Sequence, residues 1–289
     1  MKGLGTALIT PFKADGSVDY EALARLLDTQ LTGYVDYIVV LGTTGEAATL
    51  TADEKREVRQ FIVKYVNGRL PLVLGVGGNN TAQVISDLQA MRNELILDFT
   101  AILSVCPYYN KPNQEGLFQH FCAIAEASPI PVILYNVPGR TGVNLLPETV
   151  IRIYEAHPDK IAGIKEASGN IEQIKHLINL INAEGNKREA LHVISGDDGI
   201  ACDVMEAGGA GLISVASNAF AEDFWHIVHE KDQVRQAKYA EMIRLLFAEG
   251  NPVGIKAVLA QKGIIQNHLR LPLVPASKEL QEKIQKELA

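Results

Sequence analysis

The chain is poor in the marks of several common protein classes. Its 289 residues include three cysteines, Cys106, Cys122 and Cys202. They form no CxxC or other close pair, and their odd number resists a disulfide framework. A reducing, cytoplasmic location is therefore expected. No uninterrupted apolar stretch reaches the roughly 20 residues that a transmembrane helix needs, so no membrane span is expected. Residues 1–12 carry one lysine and a short apolar run that stops at Pro11, which predicts no secretory leader. Nor is positive charge in excess: 27 Lys and Arg against 34 Asp and Glu give a formal net charge of −7. That argues against nucleic acid or an anionic membrane as main partner, and leaves room for a locally positive pocket.

Nucleotide and metal signatures are also lacking. The first strand–helix turn reads Thr10-Pro11-Phe12-Lys13, not the glycine-rich turn of a doubly wound dinucleotide-binding sheet. Gly75-Val76-Gly77-Gly78 and Gly208-Gly209-Ala210-Gly211 lack the lysine and Ser/Thr of a P-loop and read as turns. His226 and His229 stand three apart without a carboxylate ligand pattern, so no metal site is expected. Asp197-Asp198 fits a helix N-cap pair better than a cation site. No Ser-His-Asp set or nucleophile elbow is visible.

What the chain does have is rhythm. Hydrophobic residues make up 47% and charged residues 21%, enough for a sizeable core. Aliphatic and β-branched runs predict strands at Leu4–Ile9, Tyr37–Leu41, Leu72–Val76, Phe99–Leu103, Val132–Tyr135, Ile161–Lys165, Leu191–Ser195 and Gly211–Val215. Between them lie helical patterns at Tyr20–Leu31, Ala52–Val66, Thr81–Arg92, Gln114–Ala127, Pro147–Ala156 and Ile171–Ala183. Several open on start signals: Asp19, Thr51 with Glu54, and Pro147. Strands recur at about the 30-residue spacing of a βα unit. Eight fully apolar strands in that order predict an α/β fold, a (β/α)8 TIM barrel over residues 1–225. Residues 226–289 predict a C-terminal helical extension packed on the barrel, with helices at Val234–Ala248, Val253–Lys262 and Lys278–Leu288.

In such a barrel the chemistry gathers at the C-terminal ends of the strands. Those ends read Gly42-Thr43-Thr44-Gly45-Glu46, Cys106-Pro107-Tyr108-Tyr109-Asn110-Lys111-Pro112, Tyr135-Asn136-Val137-Pro138-Gly139-Arg140-Thr141-Gly142, Lys165-Glu166-Ala167-Ser168-Gly169, Ser195-Gly196-Asp197-Asp198 and Ser214-Val215-Ala216-Ser217-Asn218. Lys165 closes an apolar run and would project at the barrel mouth. A solvated lysine, with a pKa near 10.4, is too protonated to attack a carbonyl, whereas desolvation frees the amine. The plainer alternative pairs Lys165 with Glu166. Thr43 and Thr44 could help cradle a carboxylate or form an ordinary turn. Tyr135 could pass a proton or plug the core. Arg140 could grip a carboxylate or lie idle on the surface.

Taken together, GTTGE, PYYNKP, YNVPGRTG, GIKEASG and SGDD, in this order, resemble the dihydrodipicolinate synthase/N-acetylneuraminate lyase family. The resemblance runs from Gly3 to at least Asn218, with the helical tail also as expected. It implies that Lys165 forms a Schiff base with pyruvate, that Thr43 and Thr44 hold the pyruvate carboxylate, and that Gly196 and Ile213 line the pocket. Tyr135, Thr44 and Tyr109 look like the family's proton relay, with Tyr109 reaching in from a neighbouring subunit. Arg140 resembles the residue that binds the carboxylate of L-aspartate 4-semialdehyde, and it favours the synthases over enzymes acting on 2-keto-3-deoxy sugar acids. No metal or organic cofactor is implied. A homo-oligomer is, most simply a tetramer of two tight dimers. Lysine-inhibited family members tend to carry His or Glu at the position of Lys55 and Glu at that of Gln83; those departures predict weak or absent inhibition by lysine, although Tyr108 and Asn79 are present.

Overall fold

Eight short strands form within two residues of where the apolar runs place them. The computed structural model describes residues 1–91, 95–183, 188 and 190–289. The strands are β1 (Gly3–Ala7), β2 (Tyr37–Val40), β3 (Leu72–Gly75), β4 (Ala101–Val105), β5 (Val132–Asn136), β6 (Ile161–Glu166), β7 (His192–Ser195) and β8 (Gly211–Ser214). They follow one another in chain order around a closed barrel. The six paired sets for which registers are described are all parallel. Strands covered on both faces need apolar residues at nearly every position, and β1, β2 and β5 are buried throughout.

The helices are α1 (Tyr20–Gln30), α2 (Ala52–Val66), α3 (Thr81–Met91), α4 (Gln114–Ala127), α5 (Pro138–Thr141), α6 (Pro147–Ala156), α7 (Ile171–Asn182), α8 (Ala201–Glu206), α9 (Ser217–Glu230), α10 (Gln233–Lys238), α11 (Ala240–Phe247), α12 (Val253–Gln261) and α13 (Lys278–Leu288). The start signals work as capping chemistry requires. Asp19 accepts the Ala22 N–H at 3.0 Å, and Thr51 and Glu54 close a reciprocal capping box. Helix α7 buries Ile174, Leu177, Ile178 and Ile181, spaced three, four and seven residues from the first. Each such side chain contributes about 1.5–3 kcal/mol when fully buried.

Three expectations shift. Strand β4 starts at Ala101 rather than Phe99, because Phe99 ends a 3-10 turn with its N–H bonded to Ile96 O at 3.1 Å. The helix expected over Val234–Ala248 is divided at Tyr239, whose hydroxyl donates to Asp223 Oδ2 at 2.5 Å. Helices α8 and α9 form in stretches for which no helix bounds are set in the sequence, although Asp197-Asp198 reads as an N-cap pair ahead of the first and His226 and His229 read as lying on a helix within the second. Arg92, the expected end of α3, lies outside the described residues.

The chain groups into two compact units. One comprises residues 1–3 and 72–213 and holds β3 to β7 with α3 to α8. The other comprises residues 4–71 and 214–289, so the C-terminal helices α9 to α13 group with the chain around β2, α1 and α2. No described helix is long and apolar enough to cross a membrane.

Candidate active site

In the unit built on β3 to β7, β5 and β6 are paired so that Tyr135 lies opposite Lys165 and Asn136 opposite Glu166. Lys165 is 6% exposed, and its Nζ lies 4.5 Å from the centroid of the buried Tyr135 ring. A buried primary amine against a phenol joins a nucleophile to a proton carrier. Gly196, just past β7, makes room for that lysine. A Cβ there would stand 2.8 Å from Lys165 Cε and 2.6 Å from Ala167 Cβ, closer than packed carbons approach. Ile213, on β8, is buried.

Neighbouring residues on a strand face opposite sides, and here that decides the fate of Glu166. Its carboxylate is taken up by neutral donors. Asn136 Nδ2 donates to both oxygens at 3.2 and 2.9 Å, the Ser168 N–H to Oε1 at 2.8 Å, and Gln173 Nε2 to Oε2 at 3.2 Å. The alternative in which Glu166 serves as partner to Lys165 therefore gives way. Asn136 also accepts the Leu145 N–H at 2.9 Å and donates to Asn144 Oδ1 at 2.7 Å. One amide thus ties β5 and β6 to the chain that follows α5, the short helix on which Arg140 sits exposed. Burial, and secondarily the charge of Glu166, push the thiol of the adjacent Cys106 up and leave it a poor nucleophile.

Tyr109 stands apart. It is 89% exposed, with φ +73°, and only its backbone is tied back, by an N–H donated to Thr141 O at 3.3 Å. A side chain so exposed does not belong to the Lys165 pocket of its own chain.

In the other unit, Thr43 and Thr44 lie in a single 3-10 turn, Thr43–Gly45, after β2. Thr43 is exposed and Thr44 buried. The turn is flanked by two non-glycine residues with left-handed backbone, Leu41 (φ +56°) and Glu46 (φ +52°), a conformation that costs about 1–3 kcal/mol each and persists only when the surroundings impose it. Here they do. Thr10 donates to Gly45 O at 2.7 Å. The Glu46 carboxylate, 1% exposed, forms an ion pair with the fully buried Lys256 and accepts the Arg270 N–H at 3.2 Å. Lys256 Nζ also donates to His268 O at 3.1 Å and lies 4.2 Å from the Phe12 ring centroid. Its pKa is lowered to about 8, because burial outweighs the opposing effect of Glu46. Asn251 Nδ2 donates to Thr44 Oγ1 at 2.9 Å.

Asn251, Lys256 and the Asn136–Glu166 pair had no assigned role in the sequence. For Lys256 a signal existed: it is the lone charge in the apolar run Val253–Leu259. His226, expected to have no metal role, pairs with Glu230 (2.9 Å), and His229 with Asp36 (2.7 Å). Asp197 caps the turn that follows it by accepting the Gly199 N–H at 2.8 Å.

Comparison with known proteins identifies the family. The model of the dihydrodipicolinate synthetase family matches residues 1–289. The 4-hydroxy-tetrahydrodipicolinate synthase of Parabacteroides distasonis is 49% identical, with 100% of this chain and 96% of that protein covered. Among solved structures, dihydrodipicolinate synthase from Thermotoga maritima superposes with a TM-score of 0.93 at 39% identity, covering 100% of this chain and 97% of that one. The chloride-inhibited dihydrodipicolinate synthase of Acinetobacter baumannii, solved with pyruvate, gives 0.92 at 38% identity, covering 99% and 97%.

Proposed function

This chain belongs to the dihydrodipicolinate synthetase family, and from that premise we propose how it acts: as a 4-hydroxy-tetrahydrodipicolinate synthase, a Schiff-base lyase joining pyruvate to L-aspartate 4-semialdehyde on the diaminopimelate route to lysine. The observation that carries the reading is Lys165, a buried amine at the C-terminal end of β6 with the Tyr135 ring 4.5 Å away.

The steps follow from the chemistry of an amine and a 2-keto acid. Lys165 Nζ adds to C2 of pyruvate, and water leaves to give the imine. The imine draws electrons from the methyl carbon, which loses a proton to form an enamine. That carbon then attacks the aldehyde carbon of the semialdehyde, and the resulting alkoxide takes up a proton. The semialdehyde's own amine next attacks C2, closing the ring and releasing Lys165. Tyr135 and Thr44 are assigned to proton transfer, together with Tyr109 from a neighbouring subunit. Thr43 and Thr44 receive the pyruvate carboxylate, Gly196 and Ile213 line the pocket, and Arg140 receives the carboxylate of the second substrate. The exposure of Tyr109 supports a role across an interface, and with it a homotetramer made of two dimers. The site needs no cofactor for this chemistry, and the cytoplasm fits an enzyme with three free cysteines.

Borohydride reduction in the presence of pyruvate, followed by peptide mapping, tests the central claim. A reduced pyruvyl adduct on Lys165 is expected; no adduct, or one on another lysine, sinks it. Turnover with the semialdehyde, set against a panel of 2-keto-3-deoxy sugar acids, tests the second substrate. Sedimentation together with activity tests the oligomer, which a fully active monomer would refute.

A further inference from the structure

We propose that Asn251 is a positioning residue that sets the direction of the Thr44 hydroxyl proton. The inference rests on the role given to Thr44 above and adds to it a residue from the C-terminal region, 207 positions away. A threonine hydroxyl has one proton to give and two lone pairs to receive. Asn251 Nδ2 fills one lone pair of Thr44 Oγ1 at 2.9 Å, with both residues buried. The Thr44 proton is therefore held for an acceptor other than Asn251. A hydroxyl left free to rotate would sample several directions and donate along the useful one only part of the time. Fixing its orientation in advance removes that cost from each proton transfer.

The support around Asn251 is built for precision. Asn251 lies just ahead of α12, and Lys256, one turn into that helix, is ion-paired to Glu46, two residues past Thr44. Arg270 completes the brace. It donates through Nη1 to Thr49 O (2.9 Å), through its backbone N–H to Glu46 (3.2 Å), and through Nη1 and Nη2 to Glu54 (2.8 and 2.5 Å). The turn and the helix that Asn251 precedes are thus joined by the Lys256–Glu46 pair, and Arg270 braces the turn at Thr49, Glu46 and Glu54, which holds the 2.9 Å contact in register. The C-terminal region then serves as the frame of the Thr43-Thr44 turn as well as a packing layer.

Asn251→Asp and Asn251→Ala separate this role from simple packing. Aspartate keeps the shape but replaces the donor with an acceptor, so Thr44 turns its proton toward residue 251. Alanine leaves a gap but lets the hydroxyl rotate. At pH 8 we expect kcat to fall about 100-fold in Asn251→Asp, the low end of what a positioned proton donor contributes, and less in Asn251→Ala. Packing alone predicts the reverse order. As pH is lowered toward 5.5, the deficit of Asn251→Asp relative to the parent should shrink, because a protonated carboxyl donates again. The charged groups around this turn that set where this happens are Glu46, Lys256, Arg270 and Glu54.

In a Thr44→Val background, Asn251→Ala should cost nothing further. This cycle decides the matter even if the aspartate variant does not fold. Circular dichroism and thermal unfolding serve as the fold control for each variant, because Thr44 is also assigned to the pyruvate carboxylate and its loss can weaken trapping. An aspartate variant milder than alanine at every pH, or losses that add in the Thr44→Val background, overturns the proposal. Failure of the parent enzyme to trap pyruvate would instead overturn the Schiff-base reading and leave this one without its premise.

Discussion

Replacing Lys256 with methionine should be among the most damaging single changes outside the residues assigned to chemistry. The side chain is wholly buried, and its Nζ is paired with a carboxylate that is itself 1% exposed. Removing one partner of a buried pair strands the other charge, at a cost of about 3–5 kcal/mol. At about 2–4 °C per kcal/mol for a large domain, the melting temperature should drop by roughly 6–20 °C. Glu46→Gln should be milder. Burial already lowers the Lys256 pKa to about 8 with Glu46 in place; without that carboxylate it falls further, so Lys256 can shed its proton and leave no charge stranded. Glu46→Gln with Lys256→Met removes both charges, keeps an acceptor for the Arg270 N–H, and should recover most of what Lys256→Met loses. Thermal unfolding of the three variants at pH 7, followed by circular dichroism, reads this order directly. A Lys256→Met protein melting within 2 °C of the parent, or a double variant no better than it, would refute the assignment of the pair as a charge-compensated brace.

Other outcomes follow from the same geometry. Gly196→Ala should fold but trap little or no pyruvate with borohydride, since the new Cβ lies 2.8 Å from Lys165 Cε; normal trapping would mean the lysine stem can shift. Glu166→Gln turns an amide NH2 toward donors that have lost an acceptor and should cost about 1–3 kcal/mol, measured by denaturant unfolding, with full stability counting against the clamp. The Arg270 hydrogen bond is the largest cause holding Glu54 down, from 4.5 to about 2. A depressed carboxyl stabilises the fold above its unfolded pKa and loses that contribution as pH falls through the folded one. Between about pH 4.5 and 2 the melting temperature should therefore fall more steeply in the parent than in Glu54→Gln, and parallel curves would exclude this contribution. Lysine at millimolar concentration should leave the initial rate nearly unchanged, because Lys55 presents a cation and the Gln83 amide is already bonded to Asp87 at 2.8 Å; clear inhibition would show that these departures do not matter.

Strand positions were legible because a strand covered on both faces has no choice but to be apolar, and Lys165 was legible because it breaks such a run at its C-terminal end. The contrast with Lys256 is instructive. It too is a lone charge in an apolar run, Val253–Leu259, and it too is buried. Lys165 was singled out because the partners that gave it meaning, Tyr135 and the other strand ends, follow a spacing set by the barrel. The partner of Lys256 lies 210 positions upstream in a turn, and nothing in local periodicity connects the two. The same holds for Asn251 and Thr44. Glu166 shows the opposite case: adjacency in sequence suggested a pairing with Lys165 that strand geometry does not support, because the two side chains leave β6 on opposite faces. Sequence spacing therefore reads contacts that a regular element imposes, and is silent on those that tertiary folding alone creates. The residues that hold a site in shape fall mostly in the second group, which is where Asn251→Asp and Lys256→Met carry the most information.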